Sequence, residues 1–132
     1  MRSLVVVLWV LVVAVATPAH AATTCPAAPL PLTRADLPAA KVAVLAWMRA
    51  DPRRAGFAAR DLRGARGHAA LATDPAARGL TAKRMCGPVT WRRTVVVDVY
   101  LPRVAKIGVS LGTPAYYASK TSRGWRIWFR IH

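Results

Sequence analysis

The spacing of apolar positions changes character several times along this chain. Leu4 to Ala16 is apolar without interruption, after Met1-Arg2-Ser3 and before Thr17-Pro18 and Ala19-His20-Ala21. A cationic start, an apolar core and a small-x-small ending predict a secretory leader over residues 1–21, cut after Ala21. The run is short of the roughly 20 residues that span a bilayer, so a retained anchor is the lesser alternative and no transmembrane segment is expected in the mature chain. Cys25, preceded by Ala22-Thr23-Thr24, is a poor lipoprotein acceptor.

Residues 22–35 are rich in Pro and Ala and read as an extended arm. Helical spacing follows. Asp36 is placed to cap a first helix with Pro38 in its first turn, and Ala40, Val44, Trp47 and Met48 form its buried stripe. Asp51-Pro52 ends that helix and predicts a second through Ala55, Ala58, Ala59 and Leu62. Arg63-Gly64-Ala65-Arg66-Gly67 reads as a break that also holds His68 in a loop. Asp74-Pro75 predicts a third short helix through Ala76, Ala77 and Leu80, stopped at Gly87-Pro88.

The period then falls to two. Val95, Val97, Val99 and Leu101 share one face of a strand that Pro102 interrupts. A weaker strand is expected over 104–111 and another over 115–120, with Ser122-Arg123-Gly124 as a hairpin loop. In the last strand Trp125, Ile127, Phe129 and Ile131 alternate with Arg126, Trp128, Arg130 and His132. The predicted architecture is α+β: two or three helices packed on a four-stranded antiparallel curved sheet, in one domain over residues 36–132.

The paired-helix start with Trp47, the Cys86-Gly87-Pro88 junction and the ending Arg123-Gly124-Trp125-Arg126-Ile127-Trp128-Phe129 resemble the small secreted NTF2-like (cystatin-like) α+β rolls of high-GC bacteria. The resemblance implies a helix-covered roll. It implies no one activity, since the superfamily holds isomerases, dehydratases, ligand carriers and secretion-system domains. No catalytic set of that superfamily maps onto this chain.

Composition narrows the chemistry. The chain carries 20 Lys and Arg against 5 acidic residues, a formal charge of +15, and cleavage would remove only Arg2 from that set. All five acids are Asp, and Glu, Gln and Asn are absent. Such charge favours contact with anionic envelope polymers or lipid head groups over any particular fold. A GC-rich coding bias accounts for the preference for Arg over Lys, and export argues against a nucleic-acid role. Cys25 and Cys86 are expected to form a disulfide, consistent with an oxidising compartment and a secreted or envelope-associated protein. Closing a loop of about 60 residues is worth about 4 kcal/mol by chain entropy.

No metal or cofactor is expected, because His68 and His132 are the only histidines after the leader and both cysteines are engaged. No catalytic residues are assigned. Asp98, with Tyr100, is the candidate for a pocket, as a general base in an NTF2-like enzyme or ligand carrier; a strand Asp paired with Arg is the competing reading. The leading candidate is a surface. Arg126, Trp128 and Arg130 on one strand face, with Trp91, Arg92 and Arg93 nearby in the sheet, would offer guanidinium forks and indole platforms to an anionic or sugar-bearing polymer; the competing reading is that Trp128 fills the roll and the arginines flank it as solvated charges. A further cationic stripe, Arg60, Arg63 and Arg66, reads as a solvated helix face. The functional expectation is a secreted, non-catalytic basic domain, with a cationic toxin or antimicrobial as a third reading.

Overall fold

The computed structural model describes residues 24–106 and 113–131, so the expected leader and His132 lie outside the described residues. The protein is an α+β fold. Its helices are α1 (Leu37–Ala50), α2 (Pro52–Ala55), α3 (Leu80–Arg92) and α4 (Pro102–Ala105). Its strands are β1 (Arg66–Leu71), β2 (Val95–Tyr100), β3 (Ala115–Thr121) and β4 (Gly124–Ile131). They form one antiparallel sheet in the order β1-β2-β3-β4.

The helical stripe reads out as expected in α1. Ala40, Val44 and Met48 are buried and pack on Val95, Val97, Val99 and Leu101, the face that period two selects in β2. Tyr116 and Ala118 of β3 complete this layer. The opposite sheet face carries a second cluster of Ala72, Ala82, Val96, Ala115, Tyr117 and Trp128, with Trp91 of α3 packed against it. β2 is therefore buried on both sides, which is why it contains the unbroken run Val95-Val96-Val97. The second layer holds a polar chain: the Thr94 hydroxyl donates to the Thr90 carbonyl at 2.6 Å and lies 3.3 Å from the Ser119 hydroxyl, which accepts from Trp128 Nε1 at 3.2 Å.

Asp36 closes a 3-10 turn (Arg34–Asp36) that feeds α1. Its carboxylate accepts from the Thr33 backbone at 2.8 Å and from Lys120 of β3 at 3.1 Å, so one acid joins the helix start to the sheet. The N-terminal arm is tied at three further points. Cys25 and Cys86 form the expected disulfide, with Cα atoms 5.6 Å apart; Arg93 donates to the Pro29 carbonyl at 2.8 Å; and the Leu30 N–H donates to the Lys120 carbonyl at 2.8 Å. That last bond caps the part of β3 that extends past β2.

Several local expectations are corrected. The second helix is two short turns, α2 and a 3-10 turn over Ala59–Leu62, because Gly56 enters the left-handed region at φ +88. A Cβ at Gly56 would also collide with the Arg130 guanidinium, which donates to the Ala55 carbonyl beside the Tyr116 hydroxyl. The expected break after Arg63 gives way to β1, with His68 on a strand paired opposite Asp98. Asp74 stabilises a turn by accepting from the Ala76 N–H at 3.0 Å, and the helix starts later, at Leu80. Gly87-Pro88 kinks α3 instead of ending it, since Gly87 leaves helical geometry (φ 83, ψ 175) and Pro suits the first position of a new helical segment. The strand expected from 104 does not start there: Pro102–Ala105 is a helical turn, and 107–112 lie outside the described residues. Among the described residues the sheet has four strands, and β1 is one that the spacing did not announce. The hairpin loop turns at Gly124 as expected, at φ +104.

Removing the disulfide by Cys25→Ser with Cys86→Ser is expected to lower stability by about 2–4 kcal/mol in non-reducing urea denaturation. Asp36 also sets a pH dependence. The Thr33 N–H and then the Lys120 ammonium hold its carboxyl below the ordinary value of 3.8. A depressed folded pKa gives stability that is present above the unfolded value and lost as pH falls through the folded one. Thermal melts should drop on acidification below about pH 4, and Asp36→Asn should lower the neutral-pH melting temperature while flattening that acid drop.

Candidate functional site

The electrostatics of the surface follow from where the acids go. Asp36 is held by Thr33 and Lys120, and Asp51 accepts from the Arg54 N–H at 3.2 Å. Asp61 accepts from the Ala58 N–H at 3.0 Å and lies 3.8 Å from Arg60. Asp74 holds its turn, and Asp98 pairs with Arg78 at 2.7 Å. All five carboxylates are engaged in local turns or ion pairs, so most of the 20 cationic side chains have no acid to neutralise them.

Two arginines of that surplus border a cleft at the β3–β4 hairpin. The cleft has a volume of about 580 Å³, and its walls include Trp47 of α1, Trp125 and Arg126 of β4, Arg123 of the turn, and Ala27 and Ala28 of the arm. Each wall has a local cause. Trp47 continues the α1 stripe and meets Tyr116 edge to face, with ring centroids 5.8 Å apart. The Arg54 guanidinium lies 4.4 Å from the Trp47 ring centroid and donates to the Trp47 carbonyl at 3.1 Å, which fixes the indole. The hairpin turn is held by the Thr121 hydroxyl, which donates to the Gly124 carbonyl at 2.8 Å and accepts from the Arg123 N–H at 3.2 Å. The arm turns at Ala28, a non-glycine residue at φ +46, between the buried prolines Pro26 and Pro29. Both indoles are half-buried, while Arg123 and Arg126 are exposed and join no ion pair among the described residues. Rigid apolar walls with free guanidinium groups at the mouth can hold a ring-bearing, negatively charged ligand.

The residues expected to form one face of the last strand separate. Tyr117 pairs with Phe129 but Ala118 pairs with Ile127, so Trp128 sits in a bulge and the alternation resets there. Arg126 lines the cleft. Trp128 is 8% exposed and turns into the second core layer against Tyr117, at 5.3 Å. Arg130 emerges on the α1 side and is bound to the Ala55 carbonyl. Trp91, Arg92 and Arg93 lie at the end of α3 instead of in the sheet: Trp91 donates to the Ala72 carbonyl at 3.0 Å, Arg92 is exposed, and Arg93 holds the arm.

Asp98 and Tyr100 occupy the sheet face opposite α1, because they alternate with Val97 and Val99. Asp98 is paired with Arg78, and Tyr100 is 41% exposed with the Arg66 guanidinium 5.4 Å from its ring centroid. Arg60 meets Arg103, Lys106 and Asp61 around a second, cationic cleft of about 480 Å³. Sequence reasoning missed Trp47 and Trp125 as a pair because both satisfy core periodicity. The signal that could have found them is Gly124 immediately before Trp125, which places that indole at a turn instead of mid-sheet. Comparison with protein-family models, curated proteins and solved structures finds no match.

Substitutions should separate the two kinds of residue. Trp128→Ala is expected to cost about 3–5 kcal/mol in denaturation experiments, as a buried aromatic. Arg123→Glu with Arg126→Glu should leave stability within about 0.5 kcal/mol, as free surface charges.

Proposed function

We propose that this protein is an exported, non-catalytic module that binds an anionic, sugar-bearing polymer of the cell envelope through the hairpin cleft. The observation that carries this reading is the pairing of two half-buried indoles with two unpaired arginines in one cleft. The engagement of all five carboxylates in turns and ion pairs supports it, because it leaves the surface field positive. Export is supported by the leader pattern of residues 1–21 and by the Cys25–Cys86 disulfide, a bond that persists in oxidising compartments. No helix among the described residues is long and apolar enough to cross a membrane. A place among the NTF2-like rolls is part of this proposal, supported by one long helix lying across a four-stranded antiparallel sheet.

In this mechanism guanidinium groups at the rim attract phosphate or carboxylate groups, and the indoles take up the flat faces of neighbouring rings. The first step is long-range and screened by salt; the second is short-range and insensitive to it. Co-sedimentation of the oxidised protein with its own envelope fraction tests the reading. Binding should fall at least about tenfold between low and high salt. Arg123→Glu with Arg126→Glu should abolish it, and Trp125→Ala should weaken the part that survives salt. Absence of binding at low salt would overturn the proposal.

A further inference from the structure

The sheet has two edges, and they differ. β4 carries the bulge at Trp128, a device that twists an edge away from pairing. β1 is regular, with six consecutive residues in unbroken register on β2. The direction of its backbone groups follows from two bonds. The Ala72 N–H donates to the Thr94 carbonyl, and the Val99 N–H donates to the Pro114 carbonyl on the far side of β2. In an antiparallel ladder successive residues alternate in direction, so His68 and Ala70 face β2. Gly67, Ala69 and Leu71 face outward. The Leu71 carbonyl accepts from the Asp74 N–H, whereas no described residue bonds to the outward groups of Gly67 and Ala69.

A groove runs along this edge. It consists of two adjoining clefts of about 440 and 160 Å³ that share Leu37, His68 and Ala69. Leu37 and Pro38 form its apolar wall, with Arg34 towards the Leu71 end and Lys41 towards the Gly67 end. The Lys41 stem lies where a Cβ at Gly67 would sit, 2.7 Å from its Cγ, so the glycine admits the lysine against the strand. Neither Arg34 nor Lys41 joins an ion pair among the described residues. The nearby acids are committed elsewhere, Asp36 to Thr33 and Lys120 and Asp74 to its own turn.

We propose that β1 is a docking edge for an extended acidic peptide, which adds as a fifth strand. The outward groups of Gly67 and Ala69 supply main-chain bonds, and the groove reads alternate side chains. Gly67 to Leu71 covers about 14 Å, four residues of rise. Side chains at positions i, i+2 and i+4 of the incoming strand share one face. The fitting pattern is therefore acidic-x-apolar-x-acidic, its carboxylates at Lys41 and Arg34 and its central apolar residue on Leu37. Charge selects this occupant over a second copy of the chain, since two molecules of +15 repel. This surface is separate from the hairpin cleft and does not depend on it.

The test uses the full oxidised protein and a capped heptapeptide, Thr-Asp-Val-Leu-Val-Asp-Thr, with amide chemical shifts for location and fluorescence anisotropy for affinity. The peptide should shift the amides of Gly67 and Ala69 and bind at least about tenfold more tightly than its Lys-for-Asp counterpart. Ala69→Pro removes an outward N–H and leaves the β2 ladder intact, so it should abolish binding with only a small change in melting temperature. Arg34→Glu with Lys41→Glu, which needs no backbone change, should invert the preference between the two peptides. Arg123→Glu with Arg126→Glu should leave peptide binding unchanged. Equal binding of both peptides, or none at about millimolar concentration, would overturn the proposal. So would self-association in sedimentation that Ala69→Pro abolishes while the peptide fails to compete.

Discussion

Three consecutive valines of β2, each at most 1% exposed, constrain the rest of the molecule. Side chains of a strand alternate between faces, so Val95 and Val97 demand cover on one side and Val96 on the other. One amphipathic helix cannot provide both. The chain supplies α1 before β1 and α3 between β1 and β2, and each helix closes one layer. The second layer is the thinner, because α3 is kinked and brings chiefly Ala82 and Trp91 to it. The disulfide from Cys86 at that kink to the arm ties the arm to this thinner layer.

The same economy governs charge. The chain has only five carboxylates, and it commits them to turns, helix starts and three ion pairs. Asp36, Asp51, Asp61 and Asp74 each accept a nearby backbone N–H, and Asp98 fixes Arg78 beside the Thr113 carbonyl. Backbone N–H groups at turns and helix starts favour a short acidic acceptor, so these positions are determined by folding. The cations meet no such demand, except where they bind carbonyls, as Arg54, Arg93 and Arg130 do. What is left exposed is positive by default, and the placement of indoles then decides which cations form part of a site.

Elements with a strong period were legible in the sequence. The α1 stripe, the Val face of β2, the hairpin at Gly124 and the pairing of Cys25 with Cys86 follow from spacing and from the residue types. β1 was not legible, because Arg66-Gly67-His68-Ala69-Ala70-Leu71 has neither β-branched residues nor an apolar alternation; β2 imposes its strand conformation through pairing. The short turns after Asp51 kept helical spacing in their alanines, and only the positive φ of Gly56 decided against a continuous helix. Of the expected strand face Arg126 reaches the cleft while Trp128 fills the core, and spacing alone does not decide between these places because a bulge inserts a residue that no periodicity announces.

That bulge ties the β4 edge to the core. It turns Trp128 inward to the Ser119 hydroxyl and brings Arg130 round to the Ala55 carbonyl, so its position is held from two sides. With β4 irregular there and β3 capped by the arm where it overhangs β2, pairing on that side of the sheet is disfavoured, and the side instead carries the hairpin cleft. β1 has no equivalent irregularity. Its protection comes from Lys41, whose stem crosses Gly67 and whose charge repels a basic partner as readily as it attracts an acidic one. In a chain of charge +15 this arrangement opposes self-pairing by electrostatics while leaving the edge geometry intact. A protein that uses charge alone to guard a regular edge keeps that edge available to a partner of opposite sign.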